Sequence, residues 1–305
     1  PGRRLVYGPV ASRRFGISLG VDPLPPKTCC FDCIYCQQGR TTRLTTTRDQ
    51  FVKPDDILEQ IQGALTRGPS PDVVTLAGSG EPTLYTPLGH LIQQIRKLAE
   101  VPVVVLTNGA LFTDPEARQE ASHADVLGPS LDAGDEETFA RINRPHPAIR
   151  FADFVQGLRA MREQSRGRFD LEVFLARGVN DSPEQIRTIA EIATSMEPDS
   201  IQLNTAVRPT PSGEDLALDP DRMESLLPLF GPSATIIASF SSFQPGTAEA
   251  DPDRILATLE RRPCTTQELA TALGMDPNRA RQVLLRLHLS GRVVQSGTDH
   301  WSVPG

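Results

Sequence analysis

Short apolar runs alternate with segments of helical period along most of this chain, and few folds accept that order. Residues 73–76, 103–106 and 126–131 read as buried strands, followed by residues 171–175, 200–203 and 235–238. Between them lie helices. The first has Pro54 in its opening turn, Asp55 and Asp56 at its positive end, and Ile57, Leu58, Ile61 and Leu65 as its buried stripe. Residues 86–99, 114–122, 135–142, 151–165 and 183–195 are the further helical candidates. Such repetition gives a parallel sheet with helical crossovers, and on pattern alone a barrel, open or closed, and a doubly wound sheet both satisfy it.

The pattern changes beyond a turn-rich linker at residues 241–246. Ile255, Leu256 and Leu259 start a short helix, and Thr266 stands where it caps a second one carrying Leu269, Ala270 and Leu273. Asp276 and Pro277 open a third, with Val283, Leu284, Leu287 and Leu289 as its apolar side. Residues 293–294 and 301–303 flank a hairpin turn at 296–299. Three helices and a hairpin make a winged helix-turn-helix. The expected division is a large α/β domain over residues 1–246 and a winged-helix domain over residues 251–305.

The 305 residues suffice for one large enzyme domain plus a small one. No apolar run approaches the roughly 20 residues that span a bilayer. The N-terminal stretch lacks the apolar core of a secretion signal, so the expectation is a cytoplasmic protein without membrane association. A net charge of −7 argues against a general polyanion binder. Residues 1–48 run the other way, with eight basic residues against Asp22 and Asp32. That local excess suits an anionic ligand or substrate.

Four of the five cysteines fall in the window Cys29-Cys30-Phe31-Asp32-Cys33-Ile34-Tyr35-Cys36. Thiols clustered in this way read as a metal site rather than a disulfide scaffold. Thiolates bind zinc and iron–sulfur clusters alike. A structural zinc site wants four ligands. Here Cys264 lies in the other domain, and adjacent side chains such as Cys29 and Cys30 converge poorly on one metal. Cys29, Cys33 and Cys36 supply three thiolates, and a 4Fe-4S cluster on three cysteines leaves one iron open to a second molecule.

This spacing resembles the signature of the radical S-adenosylmethionine superfamily. The resemblance implies that the open iron chelates the amino and carboxylate groups of S-adenosylmethionine. It further implies an electron donor such as flavodoxin or ferredoxin, reductive cleavage to a 5′-deoxyadenosyl radical, and hydrogen abstraction from a substrate. Tyr35, before the last cysteine, fits the family pattern. Gly78-Ser79-Gly80-Glu81 resembles the family's glycine–glycine–glutamate element, which faces the methionine ammonium. Thr107-Asn108-Gly109 ends the next strand as in many members. Ser130 and then Asp132 stand where the family faces the ribose, Arg177 is suited to the methionine carboxylate, and Asn204 falls near the adenine. The expected cofactor contacts are therefore Tyr35, Ser79, Gly80, Glu81, Asn108, Ser130, Asp132, Arg177 and Asn204. All sit at the carboxyl ends of the expected strands, where barrels and open α/β sheets place ligands.

Residues 12–21, 26–29, 36–41, 130–139 and 204–209 look closer still to a group of iron–sulfur oxidoreductases distantly related to the enzymes that form the wyosine base of transfer RNA. The fold this implies for residues 5–245 is a partial (β/α)6 TIM-like barrel. Cys30 departs from that group's pattern, which often has a polar residue there; it reads as a small apolar filler.

Two functions compete. The first is a radical enzyme acting on RNA, a peptide or a small molecule, with the winged helix presenting substrate. The second is a redox-sensing, DNA-binding regulator. Residues 251–305 hold seven arginines against six acidic residues, a thin excess for a DNA reader, although Arg279, Arg281 and Arg286 lie on the expected recognition helix. A sensor has no use for the elements at Gly80-Glu81, Ser130 and Arg177, and their presence favours the enzyme.

Overall fold

The computed structural model describes residues 3–12, 14–67, 70–206, 215–238, 251–260, 263–296 and 299–304. The chain opens with two strands unforeseen from the pattern, β1 (Val6–Ser12) and β2 (Gly16–Val21), paired antiparallel. The cysteine segment follows, its ends tied by a short parallel pair, β3 (Thr28–Cys29) and β4 (Arg43–Leu44). The strand–helix repeat then runs α1 (Pro54–Arg67), β5 (Val73–Leu76), α2 (Leu88–Ala99), β6 (Val103–Thr107), α3 (Pro115–Ala121) and β7 (Val126–Pro129). It continues through α4 (Glu136–Ile142), α5 (Phe151–Gln164), β8 (Arg168–Leu175), α6 (Pro183–Ser195), β9 (Ser200–Thr205), α7 (Pro220–Leu226) and β10 (Ala234–Ile236). One sheet holds the order β1-β2-β5-β6-β7-β8-β9-β10, parallel throughout from β2 onward. Strands that follow one another in sequence are neighbours in space, which is single winding. The fold is the expected partial barrel and not a doubly wound sheet.

Local chemistry starts the helices. Asp114, Asp135 and Ser182 cap α3, α4 and α6 by accepting from the backbone N–H of Glu116, Thr138 and Gln185. Proline fills the first position of α3 and α6, where no amide hydrogen is needed.

The two-residue period of the strands divides the sheet. Leu19, Val21, Val74, Leu76, Val103, Val105, Leu127, Leu171, Val173, Ile201 and Leu203 join the helices in one hydrophobic core. Their alternates include Ser18, Thr75, Ser130, Glu172, Gln202 and Asn204, a row of polar side chains on the opposite, inner face. Ser18 and Thr75 hydrogen-bond at 2.7 Å, and Asn204 Nδ2 donates to Glu172 at 2.7 Å. Arg14, from the β1–β2 turn, pairs with the same Glu172.

The C-terminal part has its own core. It contains α8 (Pro252–Leu259), β11 (Cys264–Thr265), α9 (Thr266–Leu273), α10 (Pro277–Leu289), β12 (Val294–Ser296) and β13 (His300–Ser302). Strands β12 and β13 form the expected hairpin, with Ser296 opposite His300; Gly297 and Thr298 of its turn, and the linker at 241–246, lie outside the described residues. The winged helix touches the barrel through β1. Val10 packs against its core, and Arg254 Nη2 donates to Pro9 O at 3.0 Å.

Trp301 is 1% exposed and its indole N–H donates to Thr266 Oγ1 at 3.1 Å. Trp301→Ala should cost about 3–5 kcal/mol, comparable to the stability of so small a unit. Calorimetry should show the winged helix melting early while the barrel transition and the iron content stay as in the unaltered protein. A single shifted transition would mean that the two parts unfold as one.

Candidate cluster and cofactor site

The cysteine loop leaves the carboxyl end of β2 and is held from three sides. Phe31, 2% exposed, anchors it in an aromatic cluster, with ring centroids 5.3 Å from Phe139 and 6.0 Å from Phe154. The turn after β5 lies against its start. Lys27 N donates to Ser79 O at 2.8 Å and Glu81 N to Thr28 O at 3.1 Å. The end of α4 runs along its middle, where Ile34 N donates to Ile142 O at 3.0 Å.

Cys29, Cys33 and Cys36 are half-buried, whereas Cys30 is fully enclosed in the core as a filler. Burial, and next the Glu81 charge, push the Cys29 thiol up to about 12. Burial likewise raises Cys33 and Cys36, and Cys33 is raised further by Cys29 and Cys36. Three thiols that oppose one another's ionisation become ligands only beside strong positive charge, which iron supplies. Among the described residues no three His, Cys, Asp or Glu side chains converge on one metal ion. A closed structural zinc site takes four ligands, and this loop offers three half-buried thiols beside the fully buried Cys30. A cluster gives each sulfur its own iron, and the donor set fits it.

The expected contacts mostly gather here, in roles only partly foreseen. Glu81 is 2% exposed, and its carboxylate already accepts from Thr83 N (3.0 Å), Thr83 Oγ1 (2.7 Å), Thr107 Oγ1 (2.5 Å) and Asn108 N (2.7 Å). It ties the turn after β5 to the turn after β6. Burial raises its pKa and those bonds oppose the rise. Ser79 N and Oγ both donate to Asp22, at 3.1 and 2.7 Å. Gly80 packs on the loop so closely that a Cβ would lie 2.0 Å from Thr28 O. Asn108 Nδ2 donates to Cys29 Sγ at 3.5 Å.

Asp132, 2% exposed, accepts from Tyr35 Oη (2.5 Å), Asn143 Nδ2 (2.7 Å) and Phe174 N (2.9 Å). Burial lifts it from 3.8 to about 6 against those bonds. Relative to the unfolded chain, folding therefore favours the protonated acid, and above about pH 6 the group is a carboxylate. That preference is complete below the unfolded value and fades as pH rises through the folded one. The Tyr35 ring stacks on Phe174 at 3.8 Å.

Ser130 is half-buried and its backbone pairs with that of Glu172 in an isolated β-bridge, while Asn204, 6% exposed, donates to the Glu172 carboxylate. Arg177 is bonded elsewhere. Its side chain, 46% exposed, donates to Ala217 O at 2.6 Å and pairs with Asp219 at 3.2 Å. Asn143 was not foreseen. It donates to Cys33 Sγ at 3.5 Å from 110 positions away, and its only local signal is the helix stop at Asn143-Arg144-Pro145.

Comparisons agree with this geometry. The radical SAM superfamily model matches residues 24–192, and a DprA winged helix domain model matches residues 242–297. The chain is 38% identical over 292 residues to a protein named GTPase Obg of Brachyspira hyodysenteriae, spanning 94% of this chain but 43% of that one. None of the three lysines here follows a glycine, so no phosphate loop of the G-x-x-x-x-G-K type is present. A UPF0026 protein of Helicobacter pylori strain J99 is 32% identical over 277 residues, 90% of this chain and 89% of its own length. In fold, the chain resembles a solved structure of TYW1 with a lysine-pyruvate adduct bound, with a TM-score of 0.56, 22% identity, and coverage of 70% of this chain and 72% of that one. No described helix is long and apolar enough to cross a membrane. Three thiols at the mouth of a partial barrel, and a family model that spans them and the strands behind them, lead to one conclusion: the chain belongs to the radical SAM superfamily, whose members bind a 4Fe-4S cluster and S-adenosylmethionine.

Proposed function

We propose that this chain is an enzyme that cleaves S-adenosylmethionine reductively and abstracts hydrogen from a substrate carbon. The observation that carries the reading is the set of three half-buried thiols on the loop after β2, with side-chain N–H donors at two of the sulfurs. Cys29, Cys33 and Cys36 would hold the cluster. Loaded with cluster and S-adenosylmethionine, the site supplies a 5′-deoxyadenosyl radical.

The chain's own residues bind, orient and shield. Ser79, Gly80 and Glu81 keep the turn after β5 pressed on the cysteine loop, so the loop cannot open as the cofactor enters. Asp132 holds Tyr35 flat on Phe174, which offers an aromatic wall next to the last cysteine. Ser130, at the end of β7, and Asn204, on β9, present polar groups to the adenosyl part from either side of β8. Arg177 reaches the methionine carboxylate only by giving up Asp219. Electrons come from an outside donor, a flavodoxin or ferredoxin. The winged helix presents the substrate, a peptide or an RNA, to the barrel.

The test is chemical. Protein reconstituted without oxygen and reduced with dithionite should release methionine and 5′-deoxyadenosine from S-adenosylmethionine, even slowly and without substrate, as read by mass spectrometry. A full cluster that yields neither product overturns the proposal.

A further inference from the structure

Asn143 takes no part in the chemistry above, yet it is 2% exposed and lies beside the cysteine loop. It ends α4, where its N–H donates to Phe139 O at 3.0 Å. From there residues 142–146 run along the cysteine loop as a strap. Asp32 N donates to Asn143 O (3.0 Å) and Arg144 O (3.1 Å), Ile34 N to Ile142 O (3.0 Å), and His146 N to Cys30 O (2.8 Å). These backbone bonds fix the position of Asn143 relative to Cys33.

The carboxamide then meets two neighbours, Cys33 Sγ at 3.5 Å and Asp132 Oδ2 at 2.7 Å. A thiolate and a carboxylate only accept, so the amide must turn its NH2 toward them. The reverse orientation would aim a carbonyl oxygen at two negative groups. Oδ1 is left buried with no partner among the described residues, which costs stability. The protein tolerates that cost and keeps the donor on the sulfur.

A cysteine sulfur on a cluster gains negative charge when the cluster takes an electron. A hydrogen bond to that sulfur therefore stabilises the reduced form more than the oxidised one and raises the reduction potential. We infer that Asn143 is a positioning residue that sets the reduction potential of the cluster through Cys33, with Asn108 as its counterpart on Cys29. This rests on the cluster assignment proposed above, but it concerns the potential and not the ligands, so the two fail separately.

The test uses the full chain with its cluster reconstituted. In Asn143→Leu, which keeps the volume and removes the donor, a redox titration followed by electron paramagnetic resonance should give a more negative midpoint at unchanged iron content. Asn143→Gln, which retains an amide donor, should recover part of that shift. A wild-type midpoint in Asn143→Leu at full iron content overturns the inference, and so does an equal shift in both variants. If Asn143→Leu fails to fold, the unaltered protein decides. The chain has five asparagines, and labelling them with 15N should produce two resolved side-chain nitrogen couplings in the pulsed spectrum of the reduced cluster. Fewer than two couplings overturns the inference. Failure of the unaltered protein to bind any cluster would instead sink the functional reading itself.

Discussion

Reconstituted without oxygen, Cys33→Ala is expected to hold close to no iron, against roughly four irons per chain in the unaltered protein. Cys33 is the middle one of the three proposed ligands, and its sulfur interacts with both Cys29 and Cys36. Two remaining thiolates leave two irons of a cluster open to solvent and oxygen. Cys30→Ala is the internal control. It removes a thiol one position from Cys29, but that thiol is fully buried in the core, and the residue's carbonyl accepts from His146 N at 2.8 Å. Its cost is a small cavity, and the cluster should stay. Iron and sulfide analysis, with the charge-transfer absorption of the protein, reads both outcomes. A full cluster in Cys33→Ala would remove Cys33 from the ligand set.

Gly80→Ala should be as damaging, although it touches no ligand. The added Cβ would lie 2.0 Å from Thr28 O and 3.0 Å from Thr28 C, both backbone atoms of the residue before Cys29. No rotamer change relieves such a clash. The loop or the turn must move, and the Glu81 N to Thr28 O bond breaks. Overpacking against backbone should cost about 3 kcal/mol or more and lower cluster retention with it. Gly178→Ala makes the comparison. That glycine has a φ of +70° but nothing within 4 Å of an added Cβ, so only backbone strain of about 1–2 kcal/mol is expected. Thermal melting of both, with iron content after reconstitution, tests the order. Equal effects would mean that the close approach at Gly80 is not what holds the loop.

Most of the helices and the parallel strands from β5 to β10 were legible because each announces itself locally, through caps, apolar stripes and short β-branched runs. Strand β1 was not, since Gly8 and Pro9 interrupt its run. Proline is tolerated there because β1 is an edge, which only the assembled sheet reveals. Helix α7 was missed although Asp219-Pro220 is a serviceable start signal. In the site, the three cysteines were legible because their spacing is local. The identities of Glu81 and Asp132 were legible too, but not their employment. Both carboxylates are occupied by donors from turns that meet only when neighbouring strands lie side by side. Asn143 was hidden for the same reason, since nothing near it in the chain mentions a sulfur.

The division of the sheet into an apolar outer face and a polar inner one separates two kinds of selection. Leu19, Val74, Val105 and Leu203 are bound by volume, because each fills space against a helix. Ser18, Thr75 and Asn204 are bound by pairing instead, because each makes a hydrogen bond on the inner face whose loss leaves its partner unsatisfied. A barrel arranged in this way can be re-lettered on the inside only in hydrogen-bonded pairs that reach across strands, while its apolar scaffold and cysteine loop stay put.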